Sequence, residues 1–116
     1  MENLFSYGTL RDESIQQAVF GHSLKGAPDA IVGYRLVSIT ITDQNAIAIS
    51  GKTVHQILEP TGRKSDQIEG TLFQLTAKDL QLADVYEDKA YKRVRVRLRS
   101  GVDAWVYVQR DGELRR

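Results

Sequence analysis

Residues 4–13 read Leu4-Phe5-Ser6-Tyr7-Gly8-Thr9-Leu10-Arg11-Asp12-Glu13, and the change of character inside this stretch sets the architecture. Leu4 to Tyr7 reads as the end of a strand, Gly8 as the bend, and Asp12-Glu13 as the opening of a helical segment. A strand that turns into a helix leaves backbone N–H groups without strand or helix partners, here those around Gly8, Thr9 and Leu10. Converging N–H groups of this kind bind anions. The same residues also make an ordinary tight turn with Gly at the bend.

Beyond the bend the pattern is mostly period two. Asp12 to Phe20 reads as a short helix with Ile15, Val19 and Ala18 on one side, ended by Gly21. Ala30 to Thr42, rich in Ile, Val, Tyr and Thr, reads as one or two strands, and Ala46-Ile47-Ala48-Ile49 as a short one among the turn formers Asp43, Asn45 and Gly51. Val54 to Leu58 and Gln67 to Leu75 read as partners around the polar loop Glu59 to Asp66. Lys92 to Leu98 and Val102 to Val108 form a hairpin across Ser100-Gly101.

The chain has 116 residues, enough for one domain over 1–116 with a core that needs no staples. Its 16 Lys and Arg against 15 Asp and Glu give a net charge of +1, which supplies no argument for nucleic acid or an anionic membrane. The lack of cysteine excludes a disulfide framework, a thiol nucleophile and thiolate metal sites. Met1-Glu2-Asn3-Leu4 does not open like a signal peptide and no run is long enough to span a bilayer, so the expectation is a soluble cytoplasmic protein.

Residues 76–88 form a second helix in this reading, with Thr76 as N-cap. At roughly 100° per residue, Gln81, Asp84 and Asp88 share one polar arc and should face water. Glu87 lies within about 20° of Leu80 and about 40° of Ala83, at the border of the apolar side made by Leu80, Leu82, Ala83, Val85 and Tyr86. A carboxyl group drawn out of water has its pKa raised, as a proton shuttle near neutral pH requires. A rim glutamate pairing with Lys89 or Arg93 is the structural alternative.

Tyr7-Gly8-Thr9-Leu10 near the start, Glu69-Gly70-Thr71-Leu72-Phe73 in the middle, and an acidic helix end carrying Glu87 followed by Tyr91-Lys92-Arg93 occur in this order. With Val19-Phe20-Gly21 and Gly33-Tyr34 between them, the chain resembles the gamma-glutamylcyclotransferase-like family nearly end to end, and within it the AIG2-like, or gamma-glutamylamine cyclotransferase, branch. The resemblance implies an intramolecular aminolysis that makes 5-oxoproline and expels an amine, with no cofactor or metal. It puts Glu87 at the position of the catalytic glutamate and substrate contacts at Tyr7, Gly8, Thr9, Leu10 and Tyr91. Together with the period-two runs it implies an α+β domain: a mixed, strongly curved sheet of about six strands, closing partly into a β-barrel, with two helices packed outside. The chain departs from the family in reading Glu87-Asp88 for Glu-Gly, and in lacking a Pro-containing stretch between Asp43 and Gln56.

Other chemistries find less support. His22 and His55 are far apart and lack partners at ligand spacing. Ser6 and Ser38 have no nucleophile elbow, and Gly62-Arg63-Lys64-Ser65 lacks the preceding glycine of a phosphate loop. Arg93, Arg95, Arg97 and Arg99 share one face of a strand beside Trp105 and Tyr107, the pattern of a nucleic-acid-binding barrel, or of an exposed strand whose arginines pair with neighbouring acids. A third reading is a protein of the same fold that binds a small metabolite without turning it over.

Overall fold

The computed structural model describes residues 1–40, 54–87 and 91–109. In chain order it holds β1 (Glu2–Ser6), a 3-10 turn (Thr9–Arg11), α1 (Glu13–Phe20), β2 (Lys25–Val32), β3 (Tyr34–Thr40), β4 (Val54–Pro60), β5 (Gln67–Leu75), α2 (Ala77–Glu87), β6 (Tyr91–Arg97) and β7 (Asp103–Gln109). Five strands form a mixed sheet in the order β2-β5-β1-β7-β6, and β3 and β4 form a separate two-stranded ribbon. β1 runs antiparallel to β5 but parallel to β7, with Leu4 opposite Trp105.

The alternation of side chains divides the sheet into two apolar faces. On one, Leu4, Phe73, Leu75, Tyr91 and Tyr107 meet Ile15 and Phe20 of α1 and Leu80, Ala83 and Tyr86 of α2. On the other, Phe5, Ile31, Ala104, Val106 and Val108 pack with Leu58 of the ribbon. The sheet is not a closed barrel. The turn that follows edge strand β6 nonetheless reaches the other edge strand, β2, where the Arg99 N–H donates to the Ala30 carbonyl at 2.9 Å and the Ser100 hydroxyl donates to the buried Asp29 carboxylate at 2.6 Å. A flat sheet could not bring its edges into contact, so these bonds require strong curvature.

Several local expectations change. Val54 to Leu58 and Gln67 to Leu75 are not partners: β4 pairs with β3, and β5 with β1 and β2. The cause lies at Gly33, whose φ of 85° breaks the run from Ala30 into two strands. The Gly33 N–H donates to the Asp66 carbonyl, and the Gly33 carbonyl accepts from Thr61 and Gly62. Residues 61–66 therefore pass from the ribbon to the sheet instead of reversing within one sheet. The described strands number five in the sheet and two in the ribbon, and the strand read at Ala46 to Ile49 lies outside the described residues.

On α1, Ala18 is exposed and Gln16 takes a buried place instead. Its amide donates to the Leu10 carbonyl at 2.9 Å and accepts the Leu24 N–H at 2.8 Å, bracing the 3-10 turn against the start of β2. A single amide that both donates and accepts can satisfy two backbone groups at once, which an apolar side chain cannot. On α2, Thr76 caps the helix by accepting the Asp79 N–H at 3.1 Å, while Val85 points outward with 75% of its surface exposed.

Glu69-Gly70-Thr71-Leu72-Phe73 is set by close packing. A Cβ on Gly70 would stand 2.4 Å from the Ser6 carbonyl oxygen and 2.6 Å from the Phe5 ring, both at the centre of the sheet. We therefore expect Gly70→Ala to cost about 1–3 kcal/mol, the range for overpacking a core, read as a fall of several degrees in Tm. A Tm equal to wild type would contradict this packing.

Candidate functional site

β1 delivers the chain to the bend, and the bend is then held from several sides. The Arg11 N–H donates to the Gly8 carbonyl at 3.2 Å and the Asp12 N–H to the Thr9 carbonyl at 2.9 Å, closing the 3-10 turn. The Leu10 side chain is buried against the helices. The Arg11 guanidinium draws the Tyr7 and Gly8 carbonyls to one side, at 3.1 Å and 3.2 Å. Among the described residues the N–H groups of Thr9 and Leu10, which head the turn, have no hydrogen-bond partner. A Cβ built on Gly8 would meet no atom within 4 Å, so packing alone does not demand glycine there.

The end of α2 lies against this bend. The Thr9 hydroxyl and the Tyr86 hydroxyl share a hydrogen bond of 2.7 Å across 77 residues of chain. Glu87, next to Tyr86 and the last residue of the helix, keeps part of its surface in contact with solvent. Its carboxyl group is withdrawn among protein atoms, and this loss of hydration raises its pKa from 4.5 to about 8.

Three tyrosines lie near enough to that carboxyl to feel its charge. Burial, with Glu87 as a further cause, pushes the hydroxyls of Tyr7 and Tyr91 well above the usual tyrosine range. Tyr107 is shifted the same way, first by burial and then by Asp84 and Glu87. All three stay protonated at ordinary pH, which leaves Glu87 as the group among them that exchanges a proton near neutrality.

The structure brings Tyr7, Thr9, Tyr91 and Glu87 into one region and gives Tyr7 a specific task. Its hydroxyl donates to the Tyr107 carbonyl at 2.6 Å and accepts the Leu58 N–H at 3.3 Å, so it bridges sheet and ribbon. Asp84 corrects the helical-wheel reading: it is not a free residue on the wet face. Its Oδ1 accepts from the Tyr107 hydroxyl at 2.7 Å and lies 3.1 Å from Arg93 Nε. Gln81 is exposed as expected, and Asp88 lies outside the described residues. The sequence reading missed Tyr86 as the tie to the turn, and Asp84, Arg93 and Tyr107 as a group. Tyr-x-Arg after the helix was the available signal for Arg93.

The arginine stripe is engaged within the protein. Arg97 pairs with Asp103 at 3.1 Å and Arg99 with Glu69 at 3.0 Å. Arg93 and Arg95 lie over the Trp105 ring, 4.3 Å and 4.9 Å from its centre. His22 hydrogen-bonds Asp79 at 2.9 Å, and the His55 side chain lies outside what is described. Among the described residues no cluster of His, Asp and Glu is suited to a metal ion, and no helix is long and apolar enough to cross a membrane.

The raised Glu87 has a thermodynamic consequence. Below pH 4.5 the carboxyl is protonated both folded and unfolded and costs nothing. Between 4.5 and about 8 the unfolded chain gains the benefit of ionisation and the folded one does not, so stability falls across that window. Glu87→Gln, which carries no titrating proton, should match wild type in Tm at pH 4, exceed it increasingly from pH 5 to about 8, and keep a constant lead above that. A Tm difference independent of pH would mean that the carboxyl is hydrated.

Comparison with known proteins agrees with this architecture. Among solved structures, two Arabidopsis thaliana proteins determined in solution share the fold: one at 18% identity with a TM-score of 0.64, covering 93% of this chain and 61% of its own, the other at 15% with a TM-score of 0.69, covering 95% and 69%. A gamma-glutamyl cyclotransferase matches at 12% identity with a TM-score of 0.73, over 94% of this chain and 66% of that one. The chain thus spans 61% to 69% of the length of these structures. No curated protein matches in sequence. The model of the family "Gamma-glutamyl cyclotransferase, AIG2-like" matches residues 4–116, and the chain belongs to that family.

Proposed function

We propose that this protein is a gamma-glutamyl cyclotransferase-type enzyme in which Glu87 carries the proton. The observation that supports this most is a carboxyl group with its pKa raised to about 8, tied through its neighbour Tyr86 to a turn that presents free backbone donors.

The reaction is an internal acyl transfer. The α-amine of a gamma-glutamyl group attacks its own gamma-carbonyl carbon, a C–N bond forms to close the five-membered lactam, and the C–N bond to the departing amine breaks. One proton leaves the attacking nitrogen and one reaches the leaving nitrogen. Ionised Glu87 takes the first proton and, as the acid, returns it to the amine, so a single carboxyl completes the cycle. A carboxyl of ordinary acidity would be a weak base for the proton that leaves the attacking amine; one near 8 is better matched to both transfers.

The carbonyl oxygen becomes negative between the two steps. In this reading the N–H groups of Thr9 and Leu10, which have no partner among the described residues, receive it, and donors of this kind are worth several kcal/mol because they need no reorganisation. A gamma-glutamyl chain must be folded back on itself before it reacts, and the open space beside Gly8 gives it room to lie on the turn. Tyr7 and Tyr91 provide walls that exclude water, and their neutral hydroxyls do not compete for the proton.

A screen of gamma-glutamyl dipeptides and gamma-glutamylamines for release of 5-oxoproline tests the reaction. With a substrate from it, kcat/KM should rise as pH passes about 8, because the ionised carboxyl is the form that accepts the first proton. Glu87→Gln keeps the size of the side chain and should bind substrate while losing ~10²–10⁴-fold in kcat. Unchanged turnover in Glu87→Gln removes Glu87 as the carrier. Binding without turnover by wild type would make the protein a metabolite-binding relative.

A further inference from the structure

α2 ends on Glu87, and among the described residues no side chain hydrogen-bonds its carboxyl. Its place out of water is therefore set by what holds the last turn of the helix. One hold is Tyr86 on Thr9, at 2.7 Å. The other is Asp84, one turn earlier, and its geometry is specific: the Tyr107 hydroxyl at 2.7 Å and Arg93 Nε at 3.1 Å both meet the same oxygen, Oδ1.

The partners of Asp84 are fixed in turn. Arg93 and Tyr107 stand directly opposite each other in the β6–β7 register. The Tyr107 carbonyl is bound by Tyr7 at 2.6 Å. The Arg93 guanidinium lies over Trp105, whose indole N–H donates to Glu2 at 3.0 Å. An exposed ion pair contributes little to stability, but a carboxylate that accepts a buried hydroxyl fixes an orientation.

We propose that Asp84 is a positioning residue for Glu87: by seating one carboxylate oxygen on the Tyr107–Arg93 pair, it fixes the end of α2 so that the Glu87 carboxyl stays withdrawn among Tyr7, Tyr91 and Tyr107. Its meaning for turnover rests on the reading of Glu87 as proton carrier; the placement itself is measurable without any substrate. The titratable groups that feel the Glu87 charge are Tyr91 on β6, Tyr107 on β7 and Tyr7 after β1; the charged groups next to these are Asp84 and Arg93, which meet at Asp84 Oδ1, and Arg11, which binds the Tyr7 carbonyl.

The test is a titration of the Glu87 side-chain carbonyl by 13C NMR in wild type and three variants. Wild type should titrate near 8. In Asp84→Ala the helix end is released, the carboxyl regains water, and the midpoint should fall by more than about one unit toward 4.5. Asp84→Asn retains one oxygen able to accept both bonds and should hold the midpoint near that of wild type. Tyr107→Phe removes one bond without touching either carboxylate and should shift the midpoint in the same direction as Asp84→Ala.

An unchanged midpoint in Asp84→Ala overturns the proposal, as does one in Tyr107→Phe should Asp84→Ala fail to fold. So does an equal fall in Asp84→Asn, which would mean that the unneutralised charge of Arg93, and not placement, moves Glu87. With an active substrate, Asp84→Ala should lower kcat roughly tenfold at unchanged KM, the signature of a misplaced group. A wild type that makes no 5-oxoproline would remove the proposed reaction, while the titration would still decide the placement of Glu87.

Discussion

Everything at the site depends on β1 running parallel to β7. An antiparallel hairpin partner would have its own turn beside the end of β1; a parallel neighbour instead brings its carboxyl-terminal half there. Tyr7, just past β1, therefore lies beside Tyr107, and its hydroxyl closes on the Tyr107 carbonyl at 2.6 Å. Because β1 is also paired with β5, it cannot drift, and the bend at Gly8 emerges from the middle of the sheet. α2, which connects β5 to β6, then crosses the same sheet face and ends where β1 turns.

That arrangement places unlike groups in one apolar setting and lets burial separate their roles. Withdrawal from water penalises the charged form of every acid present. For the tyrosines this means protonation throughout the working range; for Glu87 it means a midpoint at about 8. The stability lost by burying a carboxyl is of a kind that proteins tolerate at functional sites and offset elsewhere, here in the apolar layers on the two faces of the sheet.

What could be read from the sequence followed from local rules. Thr76 as a cap, Gly21 as the end of α1 and the hairpin at Ser100-Gly101 are decided within a few residues, and the period-two runs marked most strands. Pairing was another matter: adjacency suggested β4 with β5, and only the bonds made by Gly33 to a segment about 30 residues away send the two strands to different sheets. The helical wheel ranked Asp84 by its own helix and could not register that Tyr107 and Arg93 would rise from the sheet to meet it. Gln16 was missed for the same reason, since its polar contacts come from Leu10 and Leu24. The family resemblance supplied what periodicity could not, an order of motifs that belong together although most of the chain separates them.

The central claim is that one bound molecule touches both the bend and the end of α2. A crystal structure with 5-oxoproline, the product of the proposed reaction, tests it most directly. The account predicts the lactam oxygen about 3 Å from the N–H of Thr9 or Leu10 and the ring nitrogen within hydrogen-bond reach of the Glu87 carboxyl, the geometry of a donor pair and a proton carrier on one substrate. A product bound elsewhere, or bound at the turn with Glu87 directed away into solvent, would contradict it.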